Sequence, residues 1–309
     1  MKIITITLNP AFDVHCYIKN FSPYHENLAE VLSRDVGGKG VNISRALTKN
    51  QIENTAVIAL GKENSEAFLA GVRQEGLNTS CVLTEGRIRE NITIHTENAD
   101  ETRVSFSGFV ASEELLFSVE ATVERLLEKE SVVTFTGSIP PGIELHDVKK
   151  FLARLTEKGA RLVIDSRSFE KNDLIEMCPW LIKPNREEIS HYFEKDITSM
   201  KDAAEAASEL QRRGIRNVMI SLGKVGAVLA GEEGTFLGHA PFVEAISTIG
   251  AGDSSIAGFL AATAENLPQE LCLKTAIAYG SAACLQDGTK PPQADDIKKL
   301  LDQICIVQV

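Results

Sequence analysis

Short β-branched runs alternate with longer amphipathic segments along nearly the whole chain of 309 residues. Runs such as Ile3-Ile4-Thr5-Ile6-Thr7 and Asn217-Val218-Met219-Ile220-Ser221 are near-continuous in apolar or β-branched residues. Strands of that kind must be covered on both faces, which calls for a largely parallel sheet between two layers of helices. Strands are expected at 2–7, 55–60, 131–136, 161–165, 180–183, 217–221 and 226–229. Helices are expected at 41–49, 63–75, 113–129, 147–158, 200–213, 254–264, 268–285 and 295–304. The helix from 113 has Ser112 to cap it and acids in its first turn. The helix at 200–213 stops at Gly214. Two stretches, about 12–35 and 87–109, show strand-like alternation without helices between. They read as two insertions forming a small β-sheet lid on a single α/β domain spanning 1–309.

In parallel sheets of this type ligands sit at the carboxyl ends of the strands. Asn9, Gly137-Ser138, Asp165, Lys183-Pro184-Asn185 and Ser221-Leu222-Gly223 all fall there, so one shared cleft is expected. Charge narrows what can enter it. The formal net charge is −11 with no Lys/Arg-rich run, which argues against nucleic acid as the main ligand. No apolar run reaches the roughly 18 residues of a membrane span, and no signal peptide is visible, so a cytoplasmic protein is expected. The six cysteines show no metal-ligand spacing and read as mostly buried, reduced thiols. The six histidines are scattered and read as structural or surface residues.

Thr248-Ile249-Gly250-Ala251-Gly252-Asp253-Ser254-Ser255 carries the most chemistry. Gly250 and Gly252 leave amides bare at a helix start, where the dipole favours an anion. Asp253 repels a phosphate but suits a neighbouring hydroxyl whose proton it accepts. That combination is what a kinase needs. Gly37-Gly38-Lys39-Gly40-Val41-Asn42 is a second glycine-rich helix entry, either a sugar-phosphate site or an ordinary helix-entry loop. It is neither a Walker A loop nor a dinucleotide fingerprint. Asp13 could accept from two sugar hydroxyls or be a turn aspartate, and Arg89 could clamp a phosphate or be a solvated edge charge. Asn185 and Glu188, three apart, suit magnesium held through water or a helix-capping box.

Taken together, these motifs resemble the phosphofructokinase-B family of ribokinase-like sugar kinases. The likeness is to its branch of 1-phosphofructokinases and tagatose-6-phosphate kinases. It rests on seven stretches in the family's order. They are Thr7–Asp13, Gly37–Asn42, Arg89-Glu90-Asn91, Gly137–Gly142, Lys183-Pro184-Asn185 with Glu188, Ser221-Leu222-Gly223 and the Gly250–Asp253 turn. The resemblance implies a three-layer ribokinase-like core with a lid. It implies Asp253 as catalytic base, and Gly250, Ala251 and Gly252 as an anion hole. Asp13, Gly38, Asn42 and Ser138 would bind the sugar, with Lys39 and Arg89 on the phosphate it already carries. Lys183, Asn185, Ser221, Gly223, Gly226 and Gly252 would serve ATP, and Asn185 and Glu188 its Mg2+ through water. A homodimer clasped through the lid is implied as well. The chain departs from the pattern at Ser255-Ile256, Ser166-Arg167-Ser168 and Lys224.

The reaction expected is transfer of the ATP γ-phosphoryl group to a ketohexose phosphate, taking fructose 1-phosphate to fructose 1,6-bisphosphate. Tagatose 6-phosphate or fructose 6-phosphate are the alternative acceptors. A sugar-phosphate or nucleotide sensor on the same scaffold is the non-enzymatic alternative.

Overall fold

The computed structural model describes residues 1–97 and 101–309. Residues 98–100 of the second expected insertion lie outside the described residues. The chain opens with β1 (Ile3–Thr7), the hairpin strands β2 (Ala11–Ile18) and β3 (Glu30–Gly37), and α1 (Lys39–Lys49). Next come β4 (Thr55–Gly61), α2 (Ser65–Gln74) and β5 (Thr79–Thr84), then β6 (Arg89–Thr96) and β7 (Glu101–Ser105). The middle of the chain carries α3 (Glu113–Leu126), β8 (Val132–Thr136), α4 (Leu145–Glu157), β9 (Arg161–Asp165), α5 (Lys171–Met177) and β10 (Leu181–Ile182). It continues through α6 (Arg186–Phe193), α7 (Met200–Arg212), β11 (Asn217–Ser221), β12 (Gly226–Gly231) and β13 (Gly234–His239). The last part holds α8 (Ala251–Ala264), α9 (Gln269–Ala283), α10 (Ala294–Leu301) and β14 (Ile306–Gln308).

The main sheet has the order β14-β13-β12-β11-β10-β9-β8-β1-β4-β5. It is parallel from β11 to β5 and antiparallel beyond β11. Alternate strand residues point to opposite faces. On one face Ile4, Ile6, Phe135 and Ile220 pack with Val119, Phe151, Ile189 and Leu210, from α3, α4, α6 and α7. On the other, Ile3, Val132, Val163 and Met219 pack with Ile43, Phe259, Leu273 and Leu300, from α1, α8, α9 and α10. The three-layer core expected from the alternation is therefore present. No helix of the described residues is long and apolar enough to cross a membrane.

A second sheet, of order β3-β2-β6-β7, joins the two insertions. β2 runs antiparallel to β3 and parallel to β6. Phe12, Val14, Cys16 and Val36 pack against Ile58, Phe68 and Val72, which fixes the small sheet to the core beside α2. Val31, Leu32, Val104 and Phe106 remain exposed.

Several local expectations change. β5, β13, β14 and α5 were not anticipated, and the strand expected at 180–183 shortens to Leu181–Ile182. Ser112 stands at the N-cap of α3 but makes no side-chain cap; its carbonyl accepts the Leu115 amide instead. All six cysteines are free, but only Cys16 and Cys272 are buried, and Cys178 and Cys305 are exposed. The histidines are not all scattered. Parallel pairing of β2 with β6 brings His15 Nδ1 to 2.9 Å from His95 Nε2, and His95 Nδ1 lies 3.4 Å from Glu101 Oε1 on β7.

Candidate active site

A cleft of about 650 Å³ opens where β1, β8, β9, β10 and β11 end, under the small sheet. Asp13, Gly38, Lys39, Asn42, Arg89, Ser138, Lys183, Asn185, Glu188, Ser221, Gly250, Gly252 and Asp253 all line it. Residues far apart in the chain meet because parallel strands deliver their carboxyl ends to one edge. Gly223, Gly226 and Ala251 are not among the lining residues. Gly226 is buried in its hairpin, at φ 130°.

At one end of the cleft the chain turns into α8 through Gly250, whose φ of 79° suits a residue without a Cβ. Asp253, in the first turn, is 7% exposed. Its Oδ2 accepts from Asn42 Nδ2 at 2.9 Å. Burial pushes its carboxyl up to about 6, and the Asp165 charge adds to that, while Lys39, Asn42 and Lys183 pull the other way. Such a group is ionised at neutral pH yet close enough to it to take a proton. The neighbouring amides lie at the positive end of α8, where an anion would be favoured. The Ala251 amide spends its hydrogen only on a long, 3.4 Å bond to the Thr248 carbonyl.

Lys39 and Lys183 share Asp165, with Nζ to Oδ2 distances of 3.0 and 3.7 Å. Burial opposes ionisation of Asp165, but the two lysines outweigh it and hold the carboxyl below the ordinary carboxylate value. Burial likewise opposes the Lys39 charge, and Asp165 with Asp253 more than restores it. A side chain at Gly252 would come within 3.1 Å of Lys183 Nζ, so this lysine adds positive charge beside the helix start. Lys39 thus gathers with Asp165, Lys183 and Asp253, whereas Arg89 stands apart from them.

Arg89 donates to the carbonyls of Phe106 at 3.0 Å and Asn9 at 3.2 Å. Asp13 accepts from Asn91 at 3.0 Å. Burial raises the Asp13 carboxyl, with the Asn91 bond and the Arg103 charge opposing. Gly37 is required beside it, because a Cβ there would collide with Asp13 Oδ2. Asn9 donates to Ser138 Oγ at 3.1 Å and to the Ser107 carbonyl at 3.0 Å.

Among the described residues, eight buried side-chain nitrogens and oxygens have no protein partner, and six of them line this cleft. These are Thr7 Oγ1, Asn9 Oδ1, Asn42 Oδ1, Arg89 Nε, Asn91 Oδ1 and Thr136 Oγ1. The orientation of each amide is fixed, because its nitrogen donates to an oxygen that can only accept or to a hydroxyl. The three amide oxygens therefore lack a hydrogen-bond donor, and Arg89 Nε lacks an acceptor. A polyhydroxylated ligand with an anionic group meets both demands.

Where β10 leads into α6, Asn185 and Glu188 form the capping box of that helix. Asn185 Oδ1 accepts the Glu188 amide, and Glu188 Oε2 accepts the Asn185 amide, both at 2.9 Å. Arg167 Nε donates to Glu188 Oε1 at 3.2 Å. No cluster of three acidic, histidine or cysteine side chains able to hold a metal exists among the described residues. This donor set fits a magnesium ion carried by nucleotide phosphates, with Glu188 reached through water, and not one caged by protein.

The chain matches the model of the pfkB family carbohydrate kinases over residues 11–296. The chain belongs to the pfkB family. Two relatives bear the name 1-phosphofructokinase. The one from Vibrio cholerae is 29% identical over 98% of this chain and 96% of its own. The one from Bacillus subtilis is 29% identical over 99% of this chain and 100% of its own. The solved phosphofructokinase-2 from Escherichia coli, in complex with substrates and products, superposes with a TM-score of 0.92. It is 27% identical and covers 98% of this chain and 99% of its own. As a member of the pfkB family the protein is a phosphotransferase acting on a sugar hydroxyl. The sequence reading did not single out Arg103, Ser105 or Thr289 as cleft residues. The pairing of Asn91 with Ser105 across β6 and β7 puts the first two there, and only strand register could have revealed it.

Proposed function

We propose that the protein is a 1-phosphofructokinase, which uses ATP to convert fructose 1-phosphate into fructose 1,6-bisphosphate. The observation that carries the reading is the set of unpartnered atoms on cleft residues, oxygens of Asn9, Asn42 and Asn91 that sugar hydroxyls would satisfy and a nitrogen of Arg89 that a phosphate would satisfy. Relatives named for the same activity over nearly the full length support the choice of acceptor.

In this reading Asp13, Asn42, Gly38 and Ser138 hold the sugar, and Arg89 holds the phosphate it brings. Asp253 lies against the hydroxyl to be phosphorylated. That oxygen bonds to the γ-phosphorus as the bond from phosphorus to the ADP oxygen breaks, and the hydroxyl proton passes to Asp253. The transition state is loose, so placement counts for more than basicity. Gly250, Ala251 and Gly252 present amides to the transferring group, and Lys39 and Lys183 add charge beside it. Lys183, Asn185 and Ser221 belong to the nucleotide half, and Gly223 and Gly226 form the turn that follows Ser221. Magnesium, placed there with help from Asn185 and Glu188, would neutralise phosphate charge. Closure of the small sheet excludes water. A cytoplasmic homodimer joined through that sheet belongs to the same reading.

The likeness to phosphofructokinase-2 favours fructose 6-phosphate as a second acceptor. ADP release, compared across fructose 1-phosphate, fructose 6-phosphate, tagatose 6-phosphate and free fructose, tests the proposal. Highest kcat/KM on fructose 1-phosphate is expected. Preference for another acceptor overturns the choice of sugar, and no ADP release with any of them overturns the kinase reading.

A further inference from the structure

Arg167 is a cation of the cleft that the assignments above leave unused. It stands on the turn after β9, in the Ser166-Arg167-Ser168 stretch, and its side chain is 74% exposed. Its only polar partner is Glu188 Oε1, at 3.2 Å. A surface ion pair of this exposure contributes little to stability and breaks readily.

The strand order says what lies around it. β9 sits between β8, which leads to Gly137-Ser138 in the sugar half, and β10, which leads to Lys183-Pro184-Asn185 in the nucleotide half. Arg167 therefore rises at the boundary between the two substrates, where the transferring phosphoryl group must pass. Arginine at that point offers a planar fork of donors that suits phosphate oxygens.

We propose that Arg167 is a nucleotide-phosphate ligand that rests on Glu188 when no nucleotide is bound. On nucleotide binding the guanidinium exchanges the Glu188 carboxylate for the terminal phosphates. The same movement frees Glu188 Oε1, the oxygen through which Glu188 would reach a magnesium-bound water. One contact thus keeps an unloaded acid neutralised and supplies charge to the loaded site. This inference rests on the kinase reading, since it needs a nucleotide in that half of the cleft.

The test is calorimetric binding of ATP, ADP and adenosine to the wild type, Arg167→Ala and Arg167→Lys, with magnesium and with EDTA. Arg167→Ala is expected to lose about tenfold or more in affinity for ATP, as removal of a charge-assisted contact implies. Arg167→Lys recovers part of that loss, and adenosine binds all three proteins equally. The loss persists in EDTA, because the contact is to phosphate and not through the ion. Equal ATP affinity in wild type and Arg167→Ala overturns the inference. So does a loss confined to magnesium, which would place the effect on Glu188, and so does an equal loss for adenosine, which would mark a disturbed fold. Wild-type protein that binds neither ATP nor ADP overturns the kinase reading, and this inference with it.

Discussion

Asp253 combines nearly complete burial, one hydrogen bond and a carboxyl raised to about 6, and each property has a measurable consequence. Under the kinase reading, Asp253→Ala lowers kcat by about 10²–10⁴-fold or more while ATP binding, followed by calorimetry, persists. Only the ionised carboxylate accepts a proton, so kcat/KM should climb with pH through about 6 and level off above it. Asn42 lowers the Asp253 pKa, so in Asn42→Ala the rising limb should move to higher pH, which a pH–rate profile would register. Stability runs the opposite way. A carboxyl whose folded pKa exceeds its ordinary value of 3.8 contributes stability fully below about 3.8 and loses it as pH rises through about 6. Asp253→Asn should therefore unfold at a higher temperature than wild type at pH 8, by the equivalent of about 1–3 kcal/mol. At pH 4 the difference should shrink toward zero.

At the scale of elements, the small sheet carries its own titratable pair. Burial and the neighbouring His95 lower the His15 pKa, with Asp13, Asp35 and Glu101 opposing. The folded sheet then binds fewer protons than the unfolded chain just below the ordinary 6.5. Stability from His15 is complete above that value and falls as pH drops through it toward the lowered pKa. Hydrogen exchange should show the amides of β2 and β6 losing protection before those of β8 and β9 as pH falls from 7 to 5. His95→Gln should lessen that loss. Central strands such as β9 and β11 were legible in the sequence to the residue, because burial on both faces leaves an unbroken apolar run. Edge strands β5 and β14 were not. Their residues are half-buried or exposed, and nothing in their composition separates them from loops. Turns at strand ends pointed to Asp253, Lys39 and Asn185. Arg103, and the sharing of Asp165 by two lysines, depend on register and on packing across the sheet, which no local pattern encodes.

For the whole molecule, the exposed apolar residues Val31, Leu32, Val104 and Phe106 of the small sheet are a liability for a monomer. Light scattering should return the mass of a dimer for wild type and a smaller mass for Leu32→Asp. A monomeric wild type would remove the clasp from the proposed function without touching the chemistry. Sheet topology sets the wider logic. One edge of a parallel sheet gathers Asp253, Asp165 and both lysines, and the small sheet brings Arg89 and Asp13 over them.

Under the kinase reading, the unpartnered oxygens of Asn9, Asn42 and Asn91 would also set how the enzyme tells one sugar from another. A cleft shaped by apolar walls separates ligands that differ by a methylene only about 10–200-fold. A buried acceptor that has lost its donor exacts a far larger penalty, and sites of that kind reject an analogue lacking one hydroxyl by about 10⁴–10⁵-fold. Selectivity here should thus be steep toward deoxy analogues of the acceptor and shallow toward analogues that merely add bulk at the solvent edge.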